Sequence, residues 1–148
     1  AHAPMRAEMV MSTGGVFYFQ DGRTAPDTVS ALFRYEGFTV YFASLASPAG
    51  GEYGITFHGD QGKLFINRNR YEFLSAEKDA KPEIIRYPGD ITADHVRNFL
   101  DCCKSRKRPK GDVGLAAISI QPPLLAVQSY VEKRSLKYNP DREEVLPL

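Results

Sequence analysis

Residues 28–45 read TVSALFRYEGFTVYFASL, two runs of eight residues rich in Val, Phe, Tyr and Thr that are parted only by Glu36-Gly37. β-Branched and aromatic side chains suit a pleated surface. A two-residue link allows a hairpin turn and leaves no room for a helical crossover. The two runs therefore predict an antiparallel pair. The same pattern extends outward on both sides, through 5–12 (MRAEMVMS), 15–20 (GVFYFQ), 53–58 (YGITFH), 62–67 (GKLFIN), 70–75 (RYEFLS) and 83–87 (EIIRY). Each run is bounded by Gly, Pro, Asp or Asn, and Gly59-Asp60-Gln61 supplies a second tight link. An antiparallel sheet is expected.

Both faces of that sheet carry apolar groups. Alternation along 38–45 sends Phe38, Val40 and Phe42 to one side and Tyr41, Ala43 and Leu45 to the other. A sheet with one wet face alternates more cleanly between apolar and polar. Two covers are therefore expected: helices from further along the chain on one face, and a second domain or subunit on the other.

Past Pro88-Gly89 the period changes to that of a helix. Thr92 reads as the N-cap, Asp94 suits the first turn, and His95, Val96, Phe99, Leu100 and Cys103 share a stripe. Pro109 and Gly111 stop this helix, and Asp112 can cap a second one running to about Lys133, which Pro122-Pro123 should kink or split. A short strand at 135–138 and a Pro-containing tail close the chain. The fold class expected is α+β: an open, mostly antiparallel β-sheet with helices packed on one face.

Composition narrows the functions. The chain has 148 residues, 43% hydrophobic and 25% charged, which is ordinary for one globular domain. No apolar run approaches bilayer length, so no membrane partner is expected. A net charge of +1 gives no overall field toward nucleic acid. The run Lys104–Lys110 (KSRKRPK) is read as cations beside the carbonyls of a helix C-terminus. Cys102 and Cys103 are neighbours, and a disulfide between adjacent residues is strained. Free thiols in a reducing compartment, the cytoplasm, follow. The opening AHAPMRAEMV has no signal-peptide core and no initiator methionine, so a longer parent chain is expected.

No stretch carries a complete active site. Gly14-Gly15 and Gly50-Gly51 do not form G-x-G-x-x-G between a strand and a helix, and no Walker-type loop or G-x-S-x-G elbow occurs. His2, His58 and His95 stand apart, and the Cys pair lacks the spacing of zinc ligands, so no metal is expected. His95 and Cys102 share a helix face, but two turns separate them by about 10 Å, too far for proton transfer. His95 is read as structural and Cys103 as core. The polar loop Asp21-Gly22-Arg23-Thr24-Ala25-Pro26-Asp27-Thr28 remains. Arg23, Asp27 and Thr28 are candidates to hold a polar ligand or a neighbouring subunit; alternatively, Asp27 caps the turn set by Pro26.

Taken in order, GGVFYF, DGRTAPDTVSALFRYEGFTVYF, YGITFHGDQGKLFINRNRYEF, HVRNFLDCCKSRKRP and KRSLKYNPDREEV resemble the C-terminal domain of the glucose-fructose oxidoreductase/inositol dehydrogenase (Gfo/Idh/MocA) family. The likeness runs over nearly the whole chain, and residues 1–148 are read as one such domain. It implies a parent enzyme with an N-terminal Rossmann domain, absent from this chain, that binds NAD or NADP. It also implies a sugar or polyol substrate, and a homo-oligomer built through the sheet face. The family's dinucleotide fingerprint, its Glu-Lys-Pro motif and its Asp/His motif do not occur in these residues. No catalytic or cofactor-binding residue is therefore assigned here, and the isolated chain is expected to be inactive. Gly114-Leu115-Ala116-Ala117 and Pro122-Pro123 also depart from the family pattern. The rival reading is a stand-alone binding or scaffolding module.

Overall fold

The computed structural model describes residues 6–46, 51–139 and 141–146. In chain order the elements are β1 (Met9–Gly15), β2 (Thr28–Tyr35), β3 (Phe38–Leu45), β4 (Ile55–Gly59), β5 (Gly62–Ile66), β6 (Arg70–Ser75), β7 (Glu83–Arg86), α1 (Ile91–Ser105), α2 (Val113–Glu132), β8 (Leu136–Asn139) and β9 (Glu144–Leu146). The class is α+β with antiparallel strands. The strands divide into two sheets, each in its own compact unit: Ala1–Gly50 with Asp112–Leu148, and Gly51–Gly111.

The first unit holds a five-stranded sheet in the order β3-β2-β1-β8-β9. The hairpin expected at 28–45 is present, with Tyr35 opposite Phe38 and Gly37 at φ +84°, a conformation that a side chain would strain. Val10, Ala31 and Phe33 share one face and are buried with Leu125 and Ala126 of α2, Leu136 and Tyr138 of β8, and Ala7. β1 pairs with β8 only at Met9 and Val10. Further along that edge a side chain replaces the strand. The Oγ of Ser129, fully buried on α2, accepts from the Ser12 N–H at 3.0 Å and donates to the Arg134 carbonyl at 2.7 Å. Gly14 is required by proximity, since a Cβ there would lie 2.2 Å from the Thr28 carbonyl oxygen.

In the second unit β4, β5, β6 and β7 form an antiparallel meander. Its first turn has Gly59 opposite Gly62, which adopts φ +144°. Asn67 closes the next turn by accepting from the amides of Asn69 (2.8 Å) and Arg70 (3.0 Å). Arg70 bridges Glu52 at 2.8 Å and lies 5.1 Å from the Phe65 ring centre. After α1, Arg106 turns left-handed, and the chain folds back until the Lys110 N–H reaches the Asn98 Oδ1 at 2.9 Å.

Several local expectations need correction. Residues 16–20 are not a strand; the amides of Phe17, Tyr18 and Phe19 are taken by the Asp27 carboxylate described below. The cap of α1 is Asp90, whose side chain accepts from the Thr92 N–H at 2.8 Å. A carboxylate two residues upstream outcompetes the threonine hydroxyl for the free amides of the first turn. α2 runs through Pro122 and Pro123 without a break. The prolines deprive only the Ile118 and Ser119 carbonyls of donors, and exposed Ser119 can take water instead. Cys103 is exposed, Cys102 is the more enclosed thiol, and no residue of α1 is buried, His95 included. The tail adds β9, paired with β8, across a turn held by Asn139. Gly50, one of the four glycines noted above, lies outside the described residues.

Candidate functional site

The loop between β1 and β2 is ordered by one carboxylate. Pro26 sets the entry to β2 and delivers Asp27, which is buried, to the base of the loop. Its Oδ1 accepts from the Phe17 N–H at 3.1 Å and the Thr28 hydroxyl at 3.0 Å; its Oδ2 accepts from the Tyr18 and Phe19 amides, each at 2.9 Å. Three successive amides thus converge on one anion, the geometry of a backbone nest. The Phe19 amide bond first, with those from Phe17 and Tyr18, holds the Asp27 pKa down to about 2, against the opposing effect of desolvation.

With its amides tied inward, the loop turns its rings outward. Phe17 is 70% exposed, and Tyr18 meets Phe19 edge-on with centroids 4.9 Å apart. Arg23 lies 3.9 Å from the Phe19 ring centre and grips Asp21 through Nε at 2.8 Å and Nη2 at 2.5 Å. That side-chain bond is the main reason the Asp21 pKa falls to about 2. The structure therefore gives the three candidate residues different positions. Asp27 and Thr28 are joined at the foot of the loop, while Arg23 stands on its outer surface against the Phe19 ring. Neither carboxylate suits a general base, since both are strongly acidic and already engaged. The arrangement can bind an apolar or π-rich surface through rings and a cation; it has no means of moving a proton.

Sequence reading misses the aromatic tip, because GVFYFQ has strand composition. The bond that overrides this preference joins residues eight to ten positions apart. No local motif announces it.

A second feature of the same unit is an open depression of about 930 Å³, where the far half of β1 has no strand on its β8 side. Met11, Thr13, Leu32 and Tyr41 line it together with Tyr130 and the turn Lys133–Ser135. The Tyr41 and Ser30 hydroxyls are 3.4 Å apart, and Arg134 pairs with Glu132 at 2.6 Å. The lining offers hydroxyls, cations and apolar groups, but no imidazole or carboxylate. It can hold a polar molecule without supplying an acid–base pair.

Neither helix start among the described residues presents free amides. A pyrophosphate sits on free amides at a helix N-terminus, but both helices here present aspartates at that place. Asp90 takes the Thr92 amide, and Asp112 takes those of Gly114 (2.8 Å) and Leu115 (3.3 Å). A phosphate would meet a carboxylate instead of donors. Among the described residues no group of three or more His, Cys, Asp or Glu is placed to hold a metal. No helix among them is long and apolar enough to cross a membrane.

No family profile and no curated protein matches the sequence. Solved structures do match. A protein assigned as an oxidoreductase from Klebsiella pneumoniae superposes with a TM-score of 0.68 at 15% identity, over 93% of this chain and 46% of its own. An oxidoreductase from Agrobacterium radiobacter, solved with NAD+, L-tartaric acid and magnesium, gives 0.63 at 15% identity over 89% and 43%. A protein assigned as a myo-inositol dehydrogenase from Sinorhizobium meliloti 1021 gives 0.61 at 18% identity over 89% and 44%. The chain shares the fold of the matched part of these oxidoreductase structures. The chain spans less than half the length of each of these structures.

Proposed function

We propose that this chain is the C-terminal domain of an NAD(P)-dependent oxidoreductase, serving substrate binding and subunit association and inactive in isolation. One observation carries the reading: nearly all of this chain superposes on oxidoreductases, while more than half of each matched protein lies outside the match. The dinucleotide site and the hydride-transfer residues belong, on this reading, to an N-terminal Rossmann domain. That both helix starts are closed by aspartates supports placing the cofactor there. A sugar or polyol substrate is suggested by the likeness to the protein assigned as a myo-inositol dehydrogenase.

The face of the first sheet away from α2 supports an interface. It carries Met9, Met11, Leu32, Tyr41 and Leu45, each at least 38% exposed. A second copy laid on this face would form the homo-oligomer. In the β1–β2 loop, Asp27 and Thr28 hold the shape while Arg23 and the aromatic tip make the contact to substrate or neighbouring subunit.

The test uses the full product of the gene. Titration with NAD+, NADH, NADP+ and NADPH should give saturable binding, and a sugar and polyol panel should give turnover with one of them. The 148-residue chain should bind none. A full-length product without dinucleotide binding would replace this reading with the stand-alone binding module.

A further inference from the structure

The aromatic tip of the β1–β2 loop is held at two points. Phe17 and Phe19 hang from amides that bind the two oxygens of the Asp27 carboxylate. The distal end of the Phe17 ring also rests on buried Gly15, where a Cβ would lie 2.5 Å from two ring atoms. A larger residue at 15 would push the ring off its seat. Pinned at that end and 70% exposed, Phe17 keeps its ring faces open. On the same tip, Arg23 lies 3.9 Å from the Phe19 ring centre and is locked to Asp21 through Nε and Nη2. That pairing engages two of the five guanidinium N–H donors, and both side chains stay at least 36% exposed.

An aromatic ring beside a charge-neutral pair of donors and acceptors is selective. An apolar protein surface laid over the tip would strip water from both charges, a loss that attraction within the pair does not fully offset. A nucleotide base would stack, but its phosphate would be brought toward the Asp21 carboxylate. A pyranose ring with equatorial hydroxyls meets both demands. Its faces carry axial C–H groups, which suit the negative face of an aromatic ring. Its rim carries hydroxyls that donate and accept together, so they replace the water given up by Asp21 and Arg23. Little ordering is lost on binding, since Asp27 and Gly15 already fix the loop.

We propose that this tip is a saccharide platform: a pyranose ring stacks on Phe17 while the Asp21–Arg23 pair binds its rim hydroxyls. This narrows the preceding reading, on which it rests, by choosing a sugar over a neighbouring subunit as what the loop touches.

The experiment places 4-fluorophenylalanine at position 17 of the full-length protein and follows its fluorine resonance. Methyl β-D-glucopyranoside should shift the resonance saturably, with a Kd of about 1 mM. D-mannitol has the hydroxyls but no ring face, and should bind at least about tenfold more weakly. Gly15→Ala displaces the ring without removing it, and Arg23→Ala removes the rim partner; each should weaken the pyranoside by at least about fivefold. Arg23 lies on the surface, so R23A decides the matter even where G15A fails to fold. A resonance that ignores the pyranoside overturns the proposal, as does an equal response to mannitol or unchanged affinity in either folded variant. A resonance that moves on protein dilution but not with sugar assigns the tip to a neighbouring subunit, and overturns it too. Dinucleotide binding on the same samples separates the two ideas. A silent resonance in protein that binds NAD+ rejects the platform alone, whereas a pyranoside response without dinucleotide binding rejects the oxidoreductase reading alone.

Discussion

Ser129→Ala removes one oxygen and strands two backbone groups. Ser129 is fully buried, and its hydroxyl is the partner of both the Ser12 N–H and the Arg134 carbonyl. Leaving a buried polar group unsatisfied costs about 1–3 kcal/mol. Both bonds are only part-buried, so water will recover some of this, and we expect a total loss of about 3 kcal/mol. With a urea m-value of about 2 kcal/mol/M, the midpoint should fall by about 1.5 M. The chain has no tryptophan, so unfolding is followed by far-UV circular dichroism. Amide exchange supplies the local reading, since the Ser12 N–H should lose protection while the β2–β3 amides keep theirs. A midpoint shift corresponding to less than about 0.5 kcal/mol, with Ser12 still protected, would refute the claim that this hydroxyl substitutes for a missing strand.

The Asp27 clamp should respond to acid. Its pKa is lowered from 3.8 to about 2 in the folded chain, so its contribution is complete above about pH 4 and is lost as pH falls through about 2. The amides of Phe17, Tyr18 and Phe19 should shift together over that window by NMR, and D27N should show the released loop already at neutral pH. Arg23→Ala should leave the unfolding free energy within about 0.5 kcal/mol of wild type. In the full-length protein the same change should weaken substrate binding or self-association if the loop makes that contact. Gly14→Val should destabilise the first sheet, because its Cβ would be forced to within 2.2 Å of the Thr28 carbonyl oxygen. Denaturation midpoints check this, and an unchanged value would contradict the close approach.

Local chemistry is enough for the hairpin at 28–45, since a two-residue Glu-Gly link between β-branched and aromatic runs admits one arrangement. It is enough, too, for the ends of α2, where Asp112 caps the start and Lys133 turns left-handed at the finish. At the start of α1 it falls two residues short, because Asp90 and Thr92 are both good caps and only geometry chooses between them. The aromatic tip at 16–20 is unreadable for a stronger reason. Its strand composition is overruled by a carboxylate that reaches it only after the chain has folded back through Pro26.

What the sequence determines by itself is an α+β chain of antiparallel hairpins followed by two helices, since turn chemistry and periodicity act over a few residues. That α2 is apolar is also legible there. The tertiary structure alone decides which of its faces meets β1, because that depends on Val10, Ala31 and Phe33 arriving from distant parts of the chain. The division of the strands into two sheets is likewise decided there. Strand pairing is a contact between distant segments, and composition does not say where one sheet ends.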